Sequence, residues 1–172
     1  GVAGVPEALQ ETYDFLQQHQ YHITVESTTA SLMSTAQSVA PTDALPDDID
    51  IILVVGGDGS LLNAARIASQ YSLPVLGINR GRLGFLTDIA PSDIDSLHQI
   101  LQGDYQAEQR PFLEAQFTTQ DQQQHQLLAL NDVVLLPGDI AHMIEYDTYV
   151  DDLLVYNQRA DGLIIATPTG ST

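Results

Sequence analysis

The chain has 172 residues, of which 44% are hydrophobic, and its 23 acidic and 5 basic side chains give a formal net charge of −18. The apolar content is enough for a folded core, which argues against disorder, and the length predicts one domain or one plus part of another. All five basic residues are arginine, which excludes sites built on lysine, such as the Walker phosphate loop and Schiff-base enzymes. The negative surface disfavours nucleic acid and anionic membranes as partners.

The absence of cysteine excludes disulfides, thiolate nucleophiles and zinc sites with cysteine ligands. The five histidines lack metal-binding spacing, so we assign none of them to a metal. No apolar run reaches the roughly 18 residues of a membrane span, and no signal-like segment opens the chain. We therefore expect a cytoplasmic protein that has no contact with membranes.

The N-terminal part has the pattern of an α/β domain. Helical spacing predicts a helix over Pro6–Gln18, followed by a short strand over Tyr21–Val25 and a connector from Ser27 to Asp48. A β-branched run, Ile49–Val55, leads into a glycine turn at residues 56–59, and Ser60 opens a second helical pattern.

A second apolar run, Pro74–Ile78, completes a strand-helix-strand unit, which predicts a parallel sheet. Ser92 is a candidate cap for a further helix that Gly103 ends. We place an α/β domain over residues 1–108.

After Arg110-Pro111 the sequence consists mainly of segments with the pattern of β-strands. The strand candidates are Phe112–Thr118, His125–Leu136, His142–Val150, Leu153–Tyr156 and Leu163–Thr167. The glutamine-rich residues 120–126 favour a hairpin turn. Because residues 170–172 fall inside another glycine turn, we expect residues 109–172 to be the incomplete beginning of a second, β-rich domain.

The segment from Val54 to Ser60 carries the clearest chemistry. Glycines without Cβ atoms at a strand-to-helix junction let a ligand approach the backbone amides at the helix N-terminus. A carboxylate repels phosphate, so Asp58 among these glycines suits a general base or a cation contact better than a phosphate ligand. The alternative is a tight turn in which Asp58 only caps the helix.

Three further segments, residues 77–88, 130–134 and 161–172, join the glycine-aspartate loop in an order that resembles the NAD kinase family, and bacterial members most of all. The resemblance runs from about Asp50 to Thr172, and it implies that the α/β domain over residues 1–108 is a nucleotide-binding domain. It implies transfer of the γ-phosphoryl group of ATP, or of polyphosphate, to the 2′-hydroxyl of the adenosine ribose of NAD, which gives NADP. It also implies a divalent cation (Mg²⁺ or Mn²⁺) and homo-oligomers, dimers or tetramers, so that this chain alone is expected to be inactive.

The resemblance further implies roles for individual residues. Asp58 would act as the catalytic base beside a phosphate loop formed by Gly57, Gly59 and Ser60. The residues expected to contact the nucleotides are Arg82, Phe85, Asn131, Asp132, Arg159, Asp161, Thr169 and Thr172. The family has Glu at the position of Asp132. The aspartate side chain is shorter by one methylene group, so it reaches less far.

Several of these residues also fit structural roles. Phe85 fits core packing, Arg82 with Arg80 fits a salt-bridged surface loop, Asn131-Asp132 fits a polar strand end, and Asp161-Gly162 fits a turn. Two other functions share features of the sequence. A lipid kinase carries a similar glycine-aspartate loop but would need an apolar or basic face for membranes, and a nucleotide-binding module would bind without turnover.

Overall fold

The computed structural model describes residues 4–80, 86–87, 89–90, 93–138 and 142–171. The chain divides into two compact units, Gly1–Glu108 and Gln109–Thr172. Helices and strands alternate in the first unit, and the elements described in the second are all strands. This confirms the predicted α/β architecture followed by a β-rich region.

The elements of the first unit are α1 (Val5–Gln18), β1 (Val25–Glu26), α2 (Ser27–Ala30), β2 (Val39–Ala40), β3 (Ile52–Gly56), α3 (Asp58–Tyr71), β4 (Val75–Asn79) and α4 (Asp95–Leu101). Helix α1 starts with a proline in its first turn and buries one face, which includes Tyr13 and Leu16. It confirms the helix predicted over Pro6–Gln18.

Strands β3 and β4 are parallel, as the strand-helix-strand pattern predicts. Val54 pairs with Gly77 and Gly56 with Asn79. The buried residues that form the core cluster of this unit are Leu16, Leu76, Ile78, Ile89 and Leu97. Residues from α1, β4 and α4 thus share one core, and the carboxyl ends of both strands lie at the same edge of the sheet.

The segment between α1 and β3 is more structured than its composition predicts. The strand predicted over Tyr21–Val25 is wrong for residues 21–24, because β1 starts only at Val25 and pairs in parallel with β2. The predicted connector contains the single-turn helix α2, whose Thr28 and Thr29 amides donate to the Glu26 carboxylate at 2.9 and 2.8 Å. The carboxylate takes the capping role that Ser, Thr, Asp or Asn usually fills.

The second unit contains three antiparallel strand pairs. Its elements are β5 (Leu113–Thr118), β6 (Gln124–Ala129), β7 (Asp132–Leu135), β8 (Ile144–Val150), β9 (Leu153–Ala160) and β10 (Leu163–Ala166). Strand β5 pairs with β6, β7 with β10, and β8 with β9. The turn between β5 and β6 confirms the hairpin predicted at the glutamine-rich segment, but residues 124–126 of that segment belong to β6.

Two strand boundaries differ from the sequence prediction. The single strand predicted over His125–Leu136 is two strands, because the chain turns at Leu130 and Asn131 and β7 takes a new partner, β10. Strand β9 extends to Ala160, past the predicted end at Tyr156. The predicted cap Ser92 lies outside the described residues. Within the described part of the chain, no helix combines the length and apolar character needed to cross a membrane.

Candidate active site

The glycine turn lies at the carboxyl end of β3. Gly56 is buried, Gly57 has an extended backbone and caps α3, and the helix begins at Asp58 rather than at the predicted Ser60. A Cβ atom on Gly56 would lie 2.8 Å from the Ser60 hydroxyl, whereas one on Gly57 or Gly59 would meet no atom within 4 Å. The outer face of the turn is therefore bare backbone that a ligand can approach at a helix N-terminus.

The Asp58 carboxylate is half-buried and fixed by the backbone. Its Oδ1 accepts a hydrogen bond from the Leu86 amide at 3.1 Å. The chain near Leu86 is tied to β4, since the Asn79 amide donates to the Ile89 carbonyl at 2.8 Å and the Ile89 amide donates to the Gly77 carbonyl at 3.1 Å. A carboxylate held in this way points in a defined direction, as a general base requires. The sequence reasoning missed Leu86, because a backbone donor leaves no residue signature.

Arg80 also lies at this edge of the sheet. Its amide donates to the Gly56 carbonyl at 3.1 Å, and its guanidinium forms an ion pair with Glu11 of α1. A cleft of about 600 Å³ is lined by Arg80, by Gly56, Gly57 and Ser60, and by the start of α1. Arg80 thus combines the two roles considered for the arginine loop, a salt bridge and a position beside the glycine turn.

A second group of predicted site residues meets at one end of the β7–β10 pair. Asp132 opens β7 opposite Ala166, and the preceding Asn131 accepts a hydrogen bond from the Thr167 amide at 2.8 Å. The Asn131 Oδ1 is buried and has no hydrogen-bond partner within the described part of the chain. A buried carbonyl oxygen without a donor is costly, so it marks a position where a ligand donor would be stabilised.

Thr169 follows β10 at this same end. Its hydroxyl accepts a hydrogen bond from Arg110 Nη1 at 3.2 Å. The sequence reasoning passed over Arg110, which it used only as a marker of the domain boundary.

Arg159 and Asp161 are not part of this group. Arg159 is exposed on β9 opposite Glu145, and Asp161 is exposed in the turn before β10. Leu163, two residues after Asp161, pairs with Leu135, whereas Asn131 and Thr169 lie beyond the other end of the β7–β10 ladder. About 20 Å of extended chain separates Asp161 from Thr167.

Arg82, Phe85 and Thr172 lie outside the described residues, so their predicted roles stay predictions. Across residues 4–80, 86–87, 89–90, 93–138 and 142–171, no three His, Cys, Asp or Glu side chains come together as a potential metal-ion cage. Asp58 is flanked in the chain by Gly57 and Gly59, where an added Cβ would meet no atom within 4 Å.

A parallel strand pair, a glycine turn and a carboxylate at a helix N-terminus define an α/β nucleotide-site protein. The sequence model described as the ATP-NAD kinase N-terminal domain matches residues 4–105, and the one described as the ATP-NAD kinase C-terminal domain matches residues 130–172. The chain therefore belongs to the NAD kinase family, as the ordered motifs predict.

Curated relatives agree with this assignment over the whole chain. An NAD kinase from Coxiella burnetii (strain RSA 493 / Nine Mile phase I) is 50% identical over 173 residues, which cover 100% of this chain and 58% of the relative. An NAD kinase from Tolumonas auensis is 46% identical over 170 residues, with 98% and 58% coverage. The chain thus spans somewhat more than half the length of these relatives.

Two solved structures are similar to this one. A yeast NADH kinase complexed with NADH has a TM-score of 0.81 and 22% identity, covering 98% of this chain and 55% of its own. An NAD kinase from Archaeoglobus fulgidus in complex with ATP has a TM-score of 0.65 and 25% identity, with 99% and 59% coverage. The yeast enzyme supports the fold, and the archaeal enzyme supports fold and family together.

Proposed function

We propose that the full-length protein is an NAD kinase that transfers the γ-phosphoryl group of ATP to the 2′-hydroxyl of the adenosine ribose of NAD. The observation that carries this proposal is the Asp58 carboxylate at the start of α3, with Oδ1 fixed by the Leu86 amide beside open glycine backbone. The family membership supplies the substrates, and the geometry supplies a carboxylate between two glycines whose backbone is open to a ligand.

The proposed reaction requires the protein to position the two substrates and to supply one proton acceptor. Asp58 takes the proton of the ribose 2′-hydroxyl while the 2′-oxygen bonds to the γ-phosphorus. The bond from that phosphorus to the β,γ-bridging oxygen breaks, and ADP leaves with the electron pair. In-line placement and relief of the phosphate charge supply most of the rate in phosphoryl transfer, so a chain without lysine meets the requirement.

Nucleotide contacts are assigned within each unit separately. We assign Gly57, Gly59 and Ser60 to the phosphates, since they form the start of α3, and we add Arg80, which lines a cleft with Gly57 and Ser60. Asn131, Asp132 and Thr169 are assigned to NAD, supported by the buried carboxamide oxygen of Asn131, which has no hydrogen-bond partner among the described residues. Arg82, Phe85, Arg159, Asp161 and Thr172 keep their predicted nucleotide roles on the family resemblance alone.

ATP is favoured as the donor because the Archaeoglobus fulgidus relative is an ATP complex. Polyphosphate stays a prediction. The described residues do not form a cage for a divalent cation, and Mg²⁺ commonly binds through substrate phosphates with one or two carboxylates. We therefore expect the cation to arrive on the ATP phosphates, and no step above depends on it.

We also propose a cytoplasmic homo-oligomer, either a dimer or a tetramer. Asp161 and Thr169 lie beyond opposite ends of β10. The distance between them along this strand is therefore greater than the length of one ribose or one base. Contacts of both residues with the same part of NAD would need a second copy of the chain. Light scattering on the full-length protein measures the assembly.

The proposed activity is tested by incubating the full-length protein with NAD, ATP and Mg²⁺ and measuring NADP with a dehydrogenase specific for NADP. A matched reaction with diacylglycerol in place of NAD tests the lipid-kinase alternative. NADP formation with multiple turnovers supports the proposal. NAD binding without NADP would show a nucleotide-binding module, and transfer to the lipid alone would show a lipid kinase.

A further inference from the structure

We infer that Thr167 is a positioning residue that holds Asn131 in place for NAD, an inference that rests on the proposed function. The sequence reasoning assigned no role to Thr167. It is 3% exposed, and it directly follows β10, opposite the turn at Leu130 and Asn131.

The Thr167 hydroxyl joins two segments that are far apart in the sequence. It donates a hydrogen bond to the Leu130 carbonyl at 2.5 Å and accepts one from the Gly170 amide at 3.2 Å. A hydroxyl has one proton to donate and can accept as well, so this side chain uses both capacities. The backbone amide of Thr167 donates to the Asn131 carbonyl at 2.8 Å. Two consecutive carbonyls, those of Leu130 and Asn131, are thus held by one residue.

Thr167 also starts a helical turn. The Ser171 amide donates to the Thr167 carbonyl at 3.1 Å, and Pro168 occupies the first helical position. This arrangement of an N-cap threonine followed by proline is typical of a helix start. Capping alone requires only that the hydroxyl accept from Gly170. The hydrogen bond that the Thr167 hydroxyl donates to the Leu130 carbonyl is not needed for capping. It holds the backbone next to Asn131.

Gly170 completes the contact from the other side of the turn. A Cβ atom at Gly170 would overlap the Asn131 carbonyl group and would lie 2.8 Å from Asn131 Cα. The absence of a side chain therefore lets the turn pack directly on the Asn131 backbone. With its Cα and carbonyl held on both sides, Asn131 has a fixed backbone position from which it presents Oδ1, a buried atom that has no hydrogen-bond partner among the described residues. Holding a recognition group in this way reduces the cost of ordering it when the ligand binds.

The test compares Thr167→Val with Thr167→Ser in the full-length protein. Valine keeps the shape and removes the hydroxyl, whereas serine keeps the hydroxyl. We expect Thr167→Val to raise the KM for NAD about tenfold or more and to leave the KM for ATP within twofold. Thr167→Ser should stay within about threefold of wild type for both substrates. A general loss of structure would lower kcat or change both KM values together, so the selective change separates positioning from folding.

Three outcomes would overturn the inference. These are an unchanged KM for NAD in Thr167→Val, an equal rise in both KM values, and a failure of Thr167→Ser to restore NAD affinity. If Thr167→Val does not fold, Gly170→Ala replaces it, with the same expected rise in the KM for NAD and the same contradicting results.

The inference and the proposed function fail in different ways. A wild-type protein that forms no NADP contradicts the proposed activity. In that case calorimetric titration measures the dissociation constant of NAD for both variants. The inference then predicts that Thr167→Val binds NAD more weakly than Thr167→Ser. A wild-type protein that does not bind NAD contradicts both.

Discussion

Glu26 shows how one side chain can stabilise a segment that composition marks as a connector. Burial opposes ionisation of its carboxyl group, but hydrogen bonds from the Thr28 and Thr29 amides and from the Thr42 hydroxyl outweigh that effect and lower its pKa to about 2. The same carboxylate caps α2 and, through Thr42, reaches the chain just after β2. Residues 26–42 thus depend on one ionised group.

This pKa predicts a specific acid dependence of stability. The unfolded carboxyl titrates near 4.5 and the folded one near 2. Since the folded pKa is the lower one, the stabilisation is complete above pH 4.5 and is lost as the pH falls toward 2. Glu26→Gln should lower the free energy of unfolding by about 1 kcal/mol at pH 6, and the difference from wild type should fall to about half of that or less at pH 3.

Urea unfolding at pH 6, 4 and 3 measures this difference. Glu7→Gln, which changes an exposed glutamate in the first turn of α1, is the control for simple loss of charge. A Glu26→Gln difference that stays constant over this pH range would contradict the capping role.

At the scale of elements, the β3–α3–β4 unit depends on a glycine outside the conspicuous glycine turn. Gly77 in β4 is buried, and a Cβ atom there would lie 2.5 Å from Leu61 Cδ1 and 3.1 Å from the Thr87 Cα. Thr87 follows Leu86, whose amide holds the Asp58 carboxylate. Close packing on Gly77 therefore sets the position of the segment that orients Asp58.

Gly77→Ala should therefore reduce both stability and activity. Overpacking should lower the free energy of unfolding by about 1–3 kcal/mol, and kcat should fall because Leu86 moves away from Asp58. Thermal unfolding and the NADP assay measure the two effects. Gly59→Ala is the matched stability control, since a Cβ there meets nothing within 4 Å and alanine favours a helix. Equal stability of the two variants would show that the packing at Gly77 is unimportant.

The elements with strong local patterns could be predicted, and those that depend on distant partners could not. The 3.6-residue period of α1 and the β-branched run of β3 identified these elements and their types. The break between β6 and β7 falls at Leu130 and Asn131, directly before Asp132. Asn and Asp are residues common in turns, but apolar residues continue on both sides of the break, and it follows from a change of partner to β10.

Similarly, Asp58 was identified from residue type and spacing, whereas its orientation depends on a backbone amide 28 residues away. The roles of Thr167 and Arg110 depend on contacts 37 and 59 residues away along the chain. No local sequence pattern encodes such contacts.

For the whole molecule, the net charge of −18 is the dominant property. Exposed carboxylates repel one another and destabilise a compact chain at low ionic strength, and salt screens that repulsion. Of the described arginines, Arg80 forms an ion pair with Glu11, and Arg66 and Arg110 donate hydrogen bonds to the side chains of Asn63 and Thr169. Counterions from the solution must therefore screen most of the repulsion between the carboxylates.

The melting temperature should rise by at least a few degrees between 0.05 and 1 M NaCl. Differential scanning calorimetry measures it. A variant with Asp43, Asp47 and Asp104 changed to Asn removes three exposed charges, and its salt response should be smaller. A melting temperature that does not depend on salt in the wild type would contradict the repulsion argument.

In the proposed reaction, the Asp58 carboxylate removes the proton from the ribose hydroxyl of NAD. Steady-state NADP formation by Asp58→Asn in the full-length protein tests it most directly, because asparagine still offers Oδ1 to the Leu86 amide and lacks only the basic carboxylate. Asp50→Asn, an exposed position before β3, is the control. We predict a fall in kcat of about 10²–10⁴-fold with the KM for NAD within threefold of wild type, whereas a kcat near that of Asp50→Asn would contradict the claim.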